Sequence, residues 1–68
     1  MKDQDWFKEA IKAYKEGFKN CHLGKYEIED IAKDIVGDYQ MDKNIDLDET
    51  TRNVLVKKVW YMYLHTNS

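Results

Sequence analysis

The sequence predicts an all-α fold, a small three-helix bundle with helices at about residues 4–22, 26–39 and 47–65. Proline is absent and only three glycines occur, which favours helices over a turn-rich β fold. Apolar residues recur at helical spacing in three stretches, and polar connections separate these stretches. We therefore expect residues 1–68 to form a single helical domain.

The first helix is predicted from an apolar stripe that begins near the amino terminus. Its members step mainly by one and three residues and project onto one arc of roughly 140°. Gly24 is predicted to adopt the left-handed conformation that ends many helices. The stripe consists of Trp6, Phe7, Ala10, Ile11, Tyr14, Gly17, Phe18 and Cys21.

The second and third helices are predicted from a second stripe and from a capping pattern. After the second stripe, residues 40–46 lose the helical period and indicate a loop. Asp46 and Glu49 then have the spacing of a capping box, which predicts a third helix from Leu47 onward. The second stripe consists of Ile28, Ile31, Ala32, Ile35, Val36 and Tyr39.

The third helix carries an uninterrupted run of six apolar or aromatic residues, from Val59 to Leu64. Projection at about 100° per residue places most of them in one wedge, which we predict to be the central core face. This wedge consists of Leu55, Val56, Val59, Trp60, Met62 and Tyr63.

Three apolar residues of the third helix, Val54, Tyr61 and Leu64, fall outside this wedge, and Lys57 and Lys58 flank them. One hypothesis is that these three side chains cover a homodimer contact or a protein partner. The alternative is that they are ordinary exposed apolar residues, which many soluble proteins have.

A lysine ridge on the first helix suggests an alternative function. Lys8, Lys12, Lys15 and Lys19 are spaced four, three and four apart, opposite the apolar stripe. Such a ridge can follow the phosphates of a nucleic acid or of an anionic membrane surface. It contains no arginine, the residue that makes most bidentate contacts, and a solvated face is the more common explanation of such a ridge.

An acidic surface is predicted on the second helix. Residues 27–49 hold nine acids and two lysines, a net charge of −7, whereas residues 50–68 hold three basic residues and no acid. The acidic surface is a solvated face, a partner of the lysine ridge, or an imitation of a phosphate backbone. Its helical members are Glu27, Asp30, Asp34 and Asp38.

The sequence predicts neither metal binding nor catalysis. Asp38 to Glu49 has the length of a calcium loop, but Gln40 and Lys43 replace a ligand and the turn glycine that such a loop needs. Cys21 and His22 are adjacent, so on a helix they point about 100° apart, and Cys21 is expected to be a buried inert thiol. We expect no enzyme activity and no cofactor.

A location and a general role complete the sequence-based predictions. The lone cysteine favours a reducing compartment, the cytoplasm, and neither a membrane span nor a signal peptide is indicated. We expect a small non-enzymatic protein-interaction module or regulator that binds a protein partner or itself. Its small size and Lys-, Asp- and Asn-rich, proline-free composition favour an origin in a phage or another mobile element.

Overall fold

Three α-helices form the fold in the computed structural model, which describes residues 3–65. They are α1 (Asp3–Gly17), α2 (Lys25–Lys43) and α3 (Glu49–His65), and no strand occurs in this range. The predicted all-α three-helix bundle is confirmed. The predicted domain of residues 1–68 extends beyond the described residues at both ends.

The core lies where the apolar stripes of the three helices meet. α2 and α3 pack together most extensively, and α1 contacts both of them. An aromatic cluster joins α1 to α2, with the rings of Phe7 and Tyr39 4.7 Å apart and Trp6 edge-on to both. The buried residues are Phe7, Ile11, Ile31, Ala32, Ile35, Val36, Tyr39, Val56, Val59 and Tyr63.

Two side-chain hydrogen bonds show that α1 and α2 run in opposite directions. Trp6, near the start of α1, donates from Nε1 to Oδ2 of Asp42, near the end of α2, at 2.9 Å. Tyr14, later in α1, donates from its hydroxyl to Oδ2 of Asp38 at 3.2 Å. Acceptors on α2 therefore fix the register of α1.

The end of α1 differs from the sequence prediction of residue 22. The helix ends at Gly17, and Cys21 N donates to Phe18 O at 2.9 Å in the turn that follows. Glycine weakens a helix by roughly 1 kcal/mol relative to alanine, which favours an early end. Cys21 is exposed as a result, so its predicted burial is wrong. Gly24 is the N-cap of α2 with φ −83°, not a left-handed helix end.

The end of α2 also differs from the prediction, because the helix continues to Lys43 through most of the predicted loop. Asn44 ends it in the left-handed conformation, with φ 55° and ψ 49°. The N–H of Ile45 donates to the carbonyl of Gln40 at 3.0 Å, a closing bond typical of helix C-termini. Oε1 of Gln40 then accepts from Leu47 N at 3.0 Å and fixes the connection to α3.

The start of α3 is capped by Asp48, not by Asp46 as predicted, and α3 begins at Glu49, not at Leu47. Oδ1 of Asp48 accepts from the backbone N–H of Thr51 at 3.0 Å, and its carbonyl accepts from Arg52 N at 2.9 Å. Hydrogen bonds from the Thr51 hydroxyl and backbone N–H lower the pKa of the Asp48 carboxyl.

We expect Asp48→Ala to lower the thermal midpoint at pH 7, because alanine leaves the Thr51 N–H without its acceptor. The folded carboxyl has a pKa below its usual value of 3.8, so its charged form stabilises the fold above that pH. This contribution disappears as the pH falls through the folded pKa. Thermal melts of the two proteins should therefore differ less at low pH. Asp46→Ala is the control, and an equal loss there would contradict the assignment of Asp48 as the cap.

Candidate functional site

The outward side of α3 carries large apolar side chains beside basic ones. Val54, Tyr61 and Leu64 are 49%, 64% and 50% exposed, so the predicted exposure of all three is confirmed. The rings of Tyr61 and His65 lie 4.2 Å apart at 38°. Lys57 and Lys58 are exposed. We call this set the α3 outer face: Val54, Lys57, Lys58, Tyr61, Leu64 and His65.

The inward side of α3 is the predicted core wedge, although its burial is uneven. Val56, Val59 and Tyr63 are buried, whereas Leu55, Trp60 and Met62 are half-buried. Burial raises the pKa of the Tyr63 hydroxyl. α3 therefore presents apolar groups on both its core side and its outer side.

An apolar groove adjoins the α3 outer face on the side of α1. Its outer part has a volume of about 390 Å³ and its inner part about 220 Å³, and both are lined by Gln4, Lys58 and Met62. Phe7 and Val59 form part of the inner wall. Burial of a side chain here would gain dispersion and hydrophobic free energy, and the lysine at the edge would attract an acidic group.

The predicted acidic surface divides into two parts that behave differently. All four acids are exposed, but Glu27, Asp30 and Asp34 line a groove, whereas Asp38 accepts the hydrogen bond from Tyr14. The pKa of the Tyr14 hydroxyl is raised, first by burial and then by the negative charge of Asp38. The hydrogen bond to Asp38 and the charge of Asp34 raise it further. Asp38 therefore contributes to packing between α1 and α2.

The groove beside these three acids has an apolar floor. Its volume is about 240 Å³, and Phe18, Leu23 and Ile31 form the floor. Phe18 was predicted as part of a longer α1, but it lies after the end of the helix and is 38% exposed. We call this site the acidic groove: Phe18, Leu23, Glu27, Asp30, Ile31 and Asp34.

The sequence did not identify the acidic groove, because Phe18 was placed on the core stripe and Leu23 was given no role. Gly17 is the signal that could have revealed it, since an early helix end frees both residues to face α2. The charged rim was recognised from the sequence, but the apolar floor was not.

The four lysines of the predicted ridge do not form one continuous row. Lys8 and Lys12 are exposed on α1, but Lys15 is half-buried, with Nζ 5.1 Å from the centre of the Tyr63 ring. Lys19 lies beyond the end of α1 and pairs with Glu16 at 3.0 Å. This arrangement gives less support to nucleic-acid contact than the sequence spacing did.

The stretch considered as a calcium loop has no loop geometry over its first half. Residues 38–43 belong to α2, so the oxygen atoms of Asp38 and Asp42 are held by a helix and accept hydrogen bonds from α1. Within residues 3–65, no three His, Cys, Asp or Glu side chains gather into a group suited to a metal ion.

Comparison with family models, curated proteins and solved structures gives no match for this chain. In the described part of the chain, no helix has both the length and the apolarity needed to cross a lipid bilayer. The fold and its surfaces define a small all-α bundle with an apolar, basic helix face and a separate acidic groove.

Proposed function

We propose that the protein is a small non-enzymatic interaction module or regulator, which binds a protein partner or a second copy of itself through α3 and an acidic surface. One observation carries this proposal: Val54, Tyr61 and Leu64 are about half exposed or more on a single helix. Large apolar groups gathered on one side of a small protein are typical of an interaction surface.

The chemistry of the α3 outer face supports binding to a protein. Tyrosine buries a large amphipathic ring at a low entropy cost and is enriched among the residues that dominate interface energies. Lys57 and Lys58 border Tyr61 in the adjoining groove, where they would orient an acidic partner and accelerate its association.

The cytoplasm is the compartment that we propose for this binding. Cys21 is free and exposed, which suits a reducing environment in which surface thiols are not oxidised to disulfides.

A photo-crosslinking test in the producing cells can examine the proposal. With benzoyl-phenylalanine in place of Leu64, we expect a covalent adduct to a protein, whose mass shows whether the partner is this chain or another. Tyr61→Ser should abolish the adduct, because it removes the central aromatic contact. The change in folding free energy should stay within about 0.5 kcal/mol, as for most exposed positions.

The matched control is Tyr26→Ser, which removes the same atoms from α2, where Tyr26 is 79% exposed. This variant should keep the adduct. An adduct that survives Tyr61→Ser would contradict the proposal, and so would a Tyr61→Ser protein that has lost its helical circular dichroism, because Tyr61 would then belong to the core.

A further inference from the structure

The two candidate surfaces of the molecule have complementary chemistry. The α3 outer face joins apolar side chains to Lys57 and Lys58, and α3 has no acid after Glu49 at its first position. The acidic groove joins an apolar floor to the carboxylates of Glu27, Asp30 and Asp34. Each surface therefore offers an apolar centre and the charge that the other lacks.

The two surfaces do not meet within one molecule, since no residue of α3 lines the acidic groove. Tyr61 is two residues from both Val59 and Tyr63, so its side chain points roughly 160° away from these buried residues. Val59 and Tyr63 belong to the core that α3 shares with α2. The α3 outer face is therefore turned away from the side of α3 that packs against α2, and it remains open to a second molecule.

We propose that the α3 outer face binds in the acidic groove of a second copy of this chain. The contact is reciprocal, so that the α3 outer face of each copy occupies the acidic groove of the other. This inference rests on the proposed function and names its partner. Reciprocal exchange follows the two-fold symmetry of most homodimers and uses two copies of the same contact. Two such contacts bury twice the surface of one. A single helix face on a small protein supplies only part of the surface that a stable interface usually buries.

The dimensions of the groove support an aromatic or aliphatic anchor. A cavity of about 240 Å³ accommodates one large side chain, and Tyr61 and Leu64 are the large exposed apolar residues at the carboxyl-terminal half of α3. In this arrangement, Lys57 and Lys58 of one copy lie against the rim acids of the other. The contact then has an apolar centre and charged edges, the usual anatomy of a protein interface.

Charge reversal tests the proposal. A groove variant carries Asp30→Lys and Asp34→Lys, and a helix variant carries Lys57→Glu and Lys58→Glu, all at exposed positions. Light scattering should show a dimer for the unchanged protein and a dimer dissociation constant at least about tenfold higher for either variant, because like charges then face each other.

Mixing the two variants provides the decisive measurement. In the mixed dimer, the intact α3 outer face of the groove variant meets the intact acidic groove of the helix variant. In the other contact, the lysines introduced into the groove variant face the glutamates introduced into the helix variant. The equimolar mixture should therefore recover the dimer. Where a reversed variant fails to fold, the neutral pairs Asp30→Asn with Asp34→Asn and Lys57→Gln with Lys58→Gln replace it, with a smaller loss expected.

Other outcomes would overturn the proposal in distinguishable ways. A groove variant that dimerises normally would show that α3 packs elsewhere on the second copy, and a mass that grows beyond the dimer would exclude closed reciprocal exchange. A mixture that stays monomeric would show that the α3 outer face and the acidic groove do not bind each other. An unchanged protein that is monomeric throughout overturns the second copy as occupant, yet an adduct from position 64 to another protein would still uphold the proposed function.

Discussion

Replacing Ile35 by alanine is expected to remove a large part of the stability of this protein. Ile35 lies in the middle of α2 with no exposed surface, among the side chains of the central core. Truncating a buried isoleucine to alanine costs about 2–5 kcal/mol, because apolar contacts are lost and a cavity is left. A domain of this length has a folding free energy of only roughly 3–10 kcal/mol. Urea denaturation followed by circular dichroism should show this loss directly.

The same substitution at Ile45 serves as the control. Ile45 is 43% exposed in the connection between α2 and α3, so Ile45→Ala removes the same atoms without opening a core cavity. Its backbone bond to Gln40 is preserved. We expect a change within about 0.5 kcal/mol. If the two variants lost equal stability, Ile35 would not be a tightly packed core residue as described.

The central position of Ile35 could be predicted from the sequence, and so could most of the core. Residues 31, 32, 35, 36 and 39 recur at helical spacing, and all five are buried. Periodicity is reliable here because a helix on the outside of a small bundle must turn one stripe inward. The same reasoning separated Val59 and Tyr63 from Tyr61, which the structure confirms.

The degree of burial on α3 could not be predicted in the same way. Leu55, Trp60 and Met62 fall in the predicted core wedge but are only half-buried. Projection gives the direction of a side chain, whereas burial depends on which neighbour covers it. Trp60 is an example, because its ring is half-buried while its indole N–H is buried without a hydrogen-bond partner among the described residues.

Helix ends were the least predictable part of the fold, because they depend on local competition between caps. Asp46 and Asp48 are both plausible N-caps by residue type, and only the hydrogen bond from Thr51 identifies Asp48. Asn44 was not recognised as a left-handed helix end, although asparagine is the commonest substitute for glycine in that role. These choices moved helix ends by several residues without changing the fold.

The candidate site was predictable on α3 and only partly predictable on α2. The exposed trio of Val54, Tyr61 and Leu64 follows from helical projection alone. The acidic groove does not, because its floor includes Phe18 and Leu23, which face α2 only after α1 has ended. Contacts between two different segments cannot be obtained from the periodicity of either one.

Replacing Gly37 by alanine is expected to stabilise the protein. Gly37 lies inside α2 without a left-handed backbone, and a Cβ atom added there would meet nothing within 4 Å. Glycine in a helix interior loses more conformational entropy on folding than alanine, at a cost of about 0.5–1 kcal/mol. Gly37→Ala should therefore raise the midpoint of thermal unfolding by about 2–8 °C, as measured by circular dichroism.

Gly24 is the control position, where replacement by alanine should not raise the midpoint of thermal unfolding. Gly24 caps the start of α2, a position that alanine serves poorly, and a Cβ atom there would lie 2.6 Å from Oε1 of Glu27. If Gly37→Ala were neutral or destabilising instead, the added methyl group would have to meet a neighbour that the single chain does not supply. If the expected gain in stability were missing only at concentrations at which the protein associates, a second chain would lie against this side of α2.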